Sequence, residues 1–473
     1  MRELLQHYID GQWIDSEGGE RLEVINPATE EACAVITAGT AADVDKAVAA
    51  ARKAFESFSQ TTPDERGALL SRIIEEYKKR MPDIARAVSE EMGAPISFAS
   101  TAQVGAGLSH FIGAAKALAD FEFETDVRGN TIRHEPIGVV GMITPWNWPL
   151  NQITAKVGPA IAAGNTMVLK PSEECPTNAA IFAEVMDAAG VPPGVFNLVQ
   201  GKGPEVGAAI SAHRDIDMVS FTGSTRAGIE VAKAAAATVK RVHQELGGKA
   251  PNFVLEGADI ETVLPPTLQG IIANSGQSCI APTRLLVHAS DAARVEAFTK
   301  SVFEGVKVGD PASEGGHIGP LVNKAQFDKV QDLIQSAIDE GARLVTGGTG
   351  LPDGTNRGYY IRPTVLADVT PAMRIWREET FGPVATLTSY ADVDEGVRLA
   401  NDTDYGLSAT ISGDHDAARP VAKRLRAGNV TINTWGPGAG LPFGGYKASG
   451  NGREGGGSIG LDEFMEVKGV TFA

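Results

Sequence analysis

Cysteine is scarce in this chain. There are three in 473 residues, Cys33, Cys175 and Cys279, far apart and odd in number. A disulfide framework needs pairs and a zinc centre needs clustered Cys or His, so neither is expected, and no metal site is. A reducing cytoplasm is the compartment that suits such usage. Long apolar runs are missing too: none reaches the roughly 18 residues that span a bilayer. Residues 1–10 carry Glu3 and Asp10 and no apolar h-region, so they do not read as a signal peptide. Positive charge is in deficit, with 42 Lys and Arg against 59 Asp and Glu, a net charge of -17. A field of that sign disfavours nucleic acid and anionic membranes as partners, and no run of Lys and Arg suggests a local exception. There is no internal repeat and no low-complexity tract.

What is present is globular. Hydrophobic residues are 43% and charged residues 21%, which excludes a disordered or fibrous chain. At about 150 residues per domain the length suggests roughly three domains. Val44, Val48, Ala51, Phe55 and Phe58 recur at helical spacing and predict a helix over 42–59. Helices are also predicted over 64–81 and 83–92. From residue 137 the pattern changes to short β-branched runs at 137–143, 166–169, 195–199, 218–221 and 252–255, with helices between them at 150–163, 177–189, 204–212 and 226–240. Units of about 30 residues of this kind predict a parallel, doubly wound sheet, which binds ligands at the carboxyl ends of its strands. A second α/β domain follows, with strands at 285–288, 343–346, 364–367, 384–389 and 430–433 and helices at 291–305, 323–340, 392–401 and 415–426. Residues 121–134 read as a hairpin turning at Arg128-Gly129-Asn130, and 464–472 as a strand. Both leave exposed edges that a second subunit would cover.

Five segments carry candidate chemistry. Cys279 follows Asn274-Ser275-Gly276-Gln277-Ser278; taken alone, a free cysteine is more often a small buried apolar residue. Its company argues otherwise. Glu245, in Gln244-Glu245-Leu246-Gly247-Gly248-Lys249, is either a solvated turn residue or a general base that activates water. Asn147, in Thr144-Pro145-Trp146-Asn147-Trp148-Pro149, is either a helix cap or a rigidly held donor to an oxyanion. Phe221-Thr222-Gly223-Ser224 opens a helix, where backbone N–H groups suit a pyrophosphate, although the spacing is not that of a dinucleotide fingerprint. Lys170 and Glu173 end a strand where both can reach ribose hydroxyls, and a carboxylate there favours NAD over NADP; the plain alternative is a solvated loop.

In this order and spacing the motifs resemble the aldehyde dehydrogenase superfamily. The likeness runs over nearly the whole chain, from Asn26-Pro27-Ala28-Thr29 through Glu378-Glu379-Thr380-Phe381-Gly382-Pro383-Val384 and Pro442-Phe443-Gly444-Gly445-Tyr446-Lys447 to the last strand. The resemblance implies an α/β architecture with a doubly wound, Rossmann-like cofactor domain (1–120 and 136–247). A second α/β catalytic domain (248–447) and a small β oligomerisation element (121–135 and 460–473) complete it, in a homodimer or homotetramer. It implies Cys279 as nucleophile, Glu245 as base, Asn147 with the Cys279 N–H as oxyanion hole, and Glu454 near the proton route. It implies NAD, or NADP, held by Lys170 and Glu173 at the adenosine ribose and Gly223 and Ser224 at the pyrophosphate. Glu379 would hold the nicotinamide ribose, with Phe381 beside the nicotinamide and further contacts from Ile143, Thr144, Pro145, Trp146, Ser172, Gly203, Phe221, Leu246 and Gly247.

Two departures stand out: Gln244 where an aliphatic residue is more usual, and the loose stretch Gly455-Gly456-Gly457. Because Glu245 is retained, the expected product is a free acid rather than an acyl-CoA. Trp146, Trp148, Trp435 and Phe443 suggest an apolar pocket for an aliphatic or aromatic aldehyde, with a semialdehyde as the alternative. No arginine adjoins Cys279 closely enough in sequence to promise recognition of a second carboxylate; Arg284 is near, but reads at least as well as a structural ion-pair residue. A cofactor-free cysteine esterase is the competing class, and the nucleotide-facing loops weigh against it.

Overall fold

The structure is a computed structural model that describes residues 1–438 and 440–472. Ala439 and Ala473, within the expected ranges 248–447 and 460–473, lie outside the described residues.

Two large sheets organise the chain. The first has eight strands in the order Gly450–Asn451, Arg241–Glu245, Met218–Thr222, Val139–Ile143, Thr166–Lys170, Phe196–Leu198, Gln6–Ile9, Gln12–Asp15. Its five middle members are parallel, and the N-terminal hairpin and Gly450–Asn451 pair antiparallel at the two edges. The middle strands are apolar at successive positions because both faces are covered. Val140, Met142, Met167 and Leu169 pack on one side with Leu70, Ile73, Phe111 and Phe182. Val139, Ile143, Val168 and Val219 pack on the other with Val44, Val48 and Ile210. Each such side chain contributes about 1.5–3 kcal/mol by leaving water.

The second sheet has seven strands in the order Arg343–Thr346, Thr364–Ala367, Val384–Tyr390, Arg284–His288, Pro251–Val254, Ser408–Ser412, Asn429–Ile432, all parallel except the first. Helices Ile260–Ile272, Ala292–Glu304, Lys324–Asp339, Val393–Asn401 and His415–Ala422 accompany it. A third sheet joins Glu124–Val127, Asn130–Pro136 and Met465–Val470, so the predicted hairpin and terminal strand pair with each other. Arg128 and Gly129 both have positive φ, the two-residue hairpin turn that matches strand twist.

Three readings of the sequence are corrected. The helices predicted over 64–81 and 83–92 are one helix, Pro63–Met92. Pro82 lies on its exposed face, so the carbonyl left without a donor faces water. The run at 252–255 is not the fifth strand of the first sheet; as Pro251–Val254 it lies in the interior of the second. The fifth parallel strand is instead Arg241–Glu245, expected to be a turn between the helix over 226–240 and the run at 252. Its sequence, Arg-Val-His-Gln-Glu, carries almost no apolar signature, yet His243, Gln244 and Glu245 are all buried. Helix Val104–Ala119, strand Ser408–Ser412 and the sheet of Arg2–Leu4, Glu31–Thr37 and Arg21–Asn26 were not anticipated.

Candidate active site

The carboxyl ends of the first sheet gather the candidates. Ile143, Lys170, Thr222 and Glu245 are each the last residue of a strand. The loop 144–148 follows Ile143 and leads into helix Pro149–Ala163. The cysteine arrives from the other sheet's side. Helix Ile260–Ile272 ends in a turn where Asn274, Ser275 and Gly276 all take left-handed φ, near 56°, 56° and 74°. A Cβ on Gly276 would lie 2.1 Å from the Gly382 carbonyl carbon, so only glycine lets the two loops pass.

Hydrogen bonds tie the two loops together. The Asn147 Nδ2 donates to the Gln277 carbonyl at 3.0 Å, and the Trp148 Nε1 to the Ser278 Oγ at 2.9 Å. A Cβ on Gly248 would stand 2.1 Å from the Cys279 carbonyl oxygen, so the segment after Glu245 lies against the cysteine's own backbone. Asn147 and Glu245 are buried and Cys279 is half-buried. The structure therefore brings Asn147, Glu245 and Cys279 to one place.

The electrostatics of the place are those of several acids sharing little water. Burial pushes the Cys279 thiol well above its ordinary range, and the Glu379 and Glu245 carboxyls add to the shift. Burial likewise raises the Glu245 carboxyl well above the usual carboxylate range, with Glu454 adding repulsion and Lys156 opposing it. Neither Glu245 oxygen hydrogen-bonds to a described residue; the His243 Nε2 stands 3.8 Å away. Burial alone would raise Glu454 as well, but Lys156, with its Nζ 2.5 Å from Oε1, together with His243 and His110 holds the carboxyl low. Sequence reading found Glu245 and Glu454 but missed Lys156 and His243. A lysine in the apolar helix Pro149–Ala163, fully buried, was the available signal.

The residues expected to face a dinucleotide spread along the same strand ends. The Lys170 Nζ meets the Glu173 Oε2 at 2.5 Å, and the Glu173 Oε1 accepts from the Gly203 N–H at 3.2 Å. Open space lies beside Gly203. The Ser172 Oγ accepts from the Glu174 N–H. Ser224 caps helix Thr225–Ala236, and the Gly223 N–H donates to the Glu245 carbonyl. Phe221 is buried against Gly223. The Leu246 N–H donates to the Ser449 carbonyl. The Glu379 Oε1 accepts from the Gly248 N–H at 2.8 Å, and its other oxygen borders Gly247. Phe381 stands edge-on to Trp146 at 5.4 Å between ring centres. The Thr144 N–H donates to the Lys170 carbonyl, while the buried Thr144 and Thr222 hydroxyls have no partner among the described residues. Pro145 lies in the same loop and is half-buried. Unpaired buried hydroxyls and a Lys–Glu pair along these strand ends fit a polar ligand such as a dinucleotide. Arg284 is structural: its guanidinium donates to the carbonyls of Lys249, Leu399 and Ala400 and stacks on Trp376.

Comparison with known proteins agrees with this geometry. Residues 13–470 match the family model described as the aldehyde dehydrogenase family. A 3-succinoylsemialdehyde-pyridine dehydrogenase from Pseudomonas sp is 50% identical, the match covering 99% of each chain. A putative aldehyde dehydrogenase from Staphylococcus haemolyticus is 46% identical over 100% of this chain and 99% of its own. Among solved structures, an aldehyde dehydrogenase from Bartonella henselae superposes with a TM-score of 0.98 at 49% identity, covering 100% of both chains. A mutant of Aldehyde Dehydrogenase C from Pseudomonas syringae, complexed with NAD+ and octanal, gives 0.97 at 51% identity, covering 98% of this chain and 96% of that one. The chain belongs to the aldehyde dehydrogenase family. It is an oxidoreductase that acts on aldehydes.

Proposed function

We propose that the protein oxidises an aldehyde to the free carboxylic acid through a thiohemiacetal and then a thioester on Cys279. The observation that carries the reading is the meeting of three chain segments: Asn147 bonded to the carbonyl two residues before Cys279, and the segment after Glu245 laid against the cysteine's backbone.

The Cys279 sulfur attacks the aldehyde carbon. The thiol is raised in this state, so its proton must pass to a base before or during attack. The second N–H of the Asn147 amide, left over from its bond to Gln277, donates to the developing oxyanion. Losing one such donor typically costs about 10²–10³ in rate. NAD, or NADP, supplies the acceptor for the hydride that the adduct must lose. Lys170, Ser172, Glu173 and Gly203 are placed to hold its adenosine end. Gly223 and Ser224 would hold the pyrophosphate, and Glu379, Phe381 and residues 143–146 and 246–247 would hold its nicotinamide end. The Glu173 carboxylate supports NAD over a 2′-phosphorylated form. Glu245 then removes a proton from water, which splits the thioester. Its raised carboxyl must first give up its own proton, and Glu454, whose charge repels a second one on Glu245, lies near the route by which that proton leaves.

The aldehyde is an aliphatic or aromatic one. Trp148, edge-on to Phe98 at 5.5 Å and bonded to Ser278, supplies an apolar wall beside the cysteine. The octanal bound by the Pseudomonas syringae enzyme supports this substrate class, and the Pseudomonas relative's name supports a semialdehyde as the second reading. The domain division is 1–120 with 136–247 for the dinucleotide, 248–447 for catalysis, and 121–135 with 460–473 for assembly into a dimer or tetramer. The scarce, unclustered cysteines support a cytoplasmic setting. No described helix is long and apolar enough to cross a membrane.

Replacement Cys279→Ala is expected to abolish NADH formation while leaving NAD binding, followed by calorimetry, unchanged. A Cys279→Ala enzyme that still reduces NAD with aldehyde would refute the reading.

A further inference from the structure

Behind Asn147 lies a ring of buried carboxamides that the chemistry above does not use. Gln103 ends the π-helical turn Ala99–Gln103, a widened turn of the kind that recurs at functional sites. Its Nε2 donates to the Asn147 backbone carbonyl at 3.2 Å and to the Asn274 Oδ1 at 3.1 Å. The Asn274 Nδ2 donates to the same Asn147 carbonyl at 2.8 Å and to the Gln277 carbonyl at 3.2 Å. The Gln277 carbonyl is also the acceptor of the Asn147 side chain. Gln103, Asn147, Asn274 and Gln277 are each no more than 4% exposed. Three distant segments, at 103, 147 and 274–277, thus share one closed set of bonds, and nothing in it is free to turn without breaking a buried pair.

We propose that Gln103 and Asn274 are positioning residues that clamp the Asn147 peptide and thereby fix its amide relative to the Cys279 sulfur. The proposal rests on Asn147 being the oxyanion donor. Two donors on one carbonyl set the plane of the peptide that carries the side chain. Asn274 sits at φ 56°, a conformation that asparagine tolerates better than most residues, so its side chain and backbone both serve the turn. An oxyanion donor misplaced by a fraction of an ångström loses most of its worth, because its contribution depends on preorganisation.

The test uses the full-length enzyme with NAD and octanal as probe. Gln103→Met keeps the volume and removes the amide, while Asn274→Gly keeps the left-handed backbone and removes the side chain. Each is expected to lower kcat about 10- to 100-fold with KM for octanal nearly unchanged, at an unfolding temperature that shows a folded protein. Placed in an Asn147→Ala background, Gln103→Met is expected to add less than about a twofold loss, since the two act through one donor. A full rate in both single variants while Asn147→Ala is slow would overturn the clamp and leave the donor assignment standing. Losses that multiply unreduced in the Asn147→Ala background would overturn it too, because the effect would then be general damage. A normal rate for Asn147→Ala would remove the donor assignment itself, and the clamp with it.

Discussion

Glu245 and Glu454 show how two identical side chains acquire different jobs. Burial raises both, yet the Glu245 carboxyl ends above the usual range and the Glu454 carboxyl below it, because Lys156, bonded to Glu454, and His243 favour the Glu454 anion. Burial first, and then the Glu454 carboxylate next door, disfavour a negative charge on Glu245, so it stays protonated to higher pH than a free glutamate would. Acting as a base requires its deprotonated form, so hydrolysis should rise with pH through that raised value. Removing the neighbour's charge by Glu454→Gln weakens the repulsion and should move the rising limb of the kcat–pH profile toward lower pH, since Lys156 and Arg453 still favour the anion and only the Glu463 repulsion is left beside burial. A limb that stays in place or moves upward would show that Glu454 does not set the Glu245 proton affinity.

At the scale of elements, apolar strands and amphipathic helices were legible because burial leaves a period in the sequence. Helix Ala41–Phe58 and strands Thr166–Lys170 and Thr364–Ala367 fall within one residue of their expected ends. The strand that carries Glu245 was not legible. Arg241–Glu245 buries polar side chains at the candidate site, and so presents the composition of a turn. Ser408–Ser412 hid in the same way, being mostly small and hydroxylated. Among site residues, the motif segments around Cys279, Asn147 and Glu245 were readable because glycine, proline and tryptophan mark their loops. Gln103 was not, since a lone glutamine between helices leaves no pattern. The close approach of Gly248 to the Cys279 carbonyl gives this scale its own expectation. Gly248→Ala should displace the cysteine loop and lower kcat/KM by about two orders of magnitude, as small misplacements near reacting atoms do. Activity retained within about twofold would mean that the two backbones are not held together in solution.

The whole molecule sets one α/β sheet's strand ends against a loop delivered from the other, so each sheet supplies part of the candidate site. The third sheet contributes none of these residues and leaves Val127, Ile132 and Val467 exposed on its strands. Exposed apolar side chains on an open-edged sheet would suit another subunit. Val467→Glu should therefore reduce the assembly seen by light scattering on a sizing column, with the fold kept. An unchanged mass would place the subunit contact elsewhere.

The most direct measurement is the mass of the enzyme caught in mid-reaction. Glu245→Gln, mixed with NAD and octanal and quenched in acid, should give one burst of NADH and then carry an octanoyl group on the peptide containing Cys279. A burst without that adduct, or an acyl group on any other residue, would contradict the covalent role of Cys279.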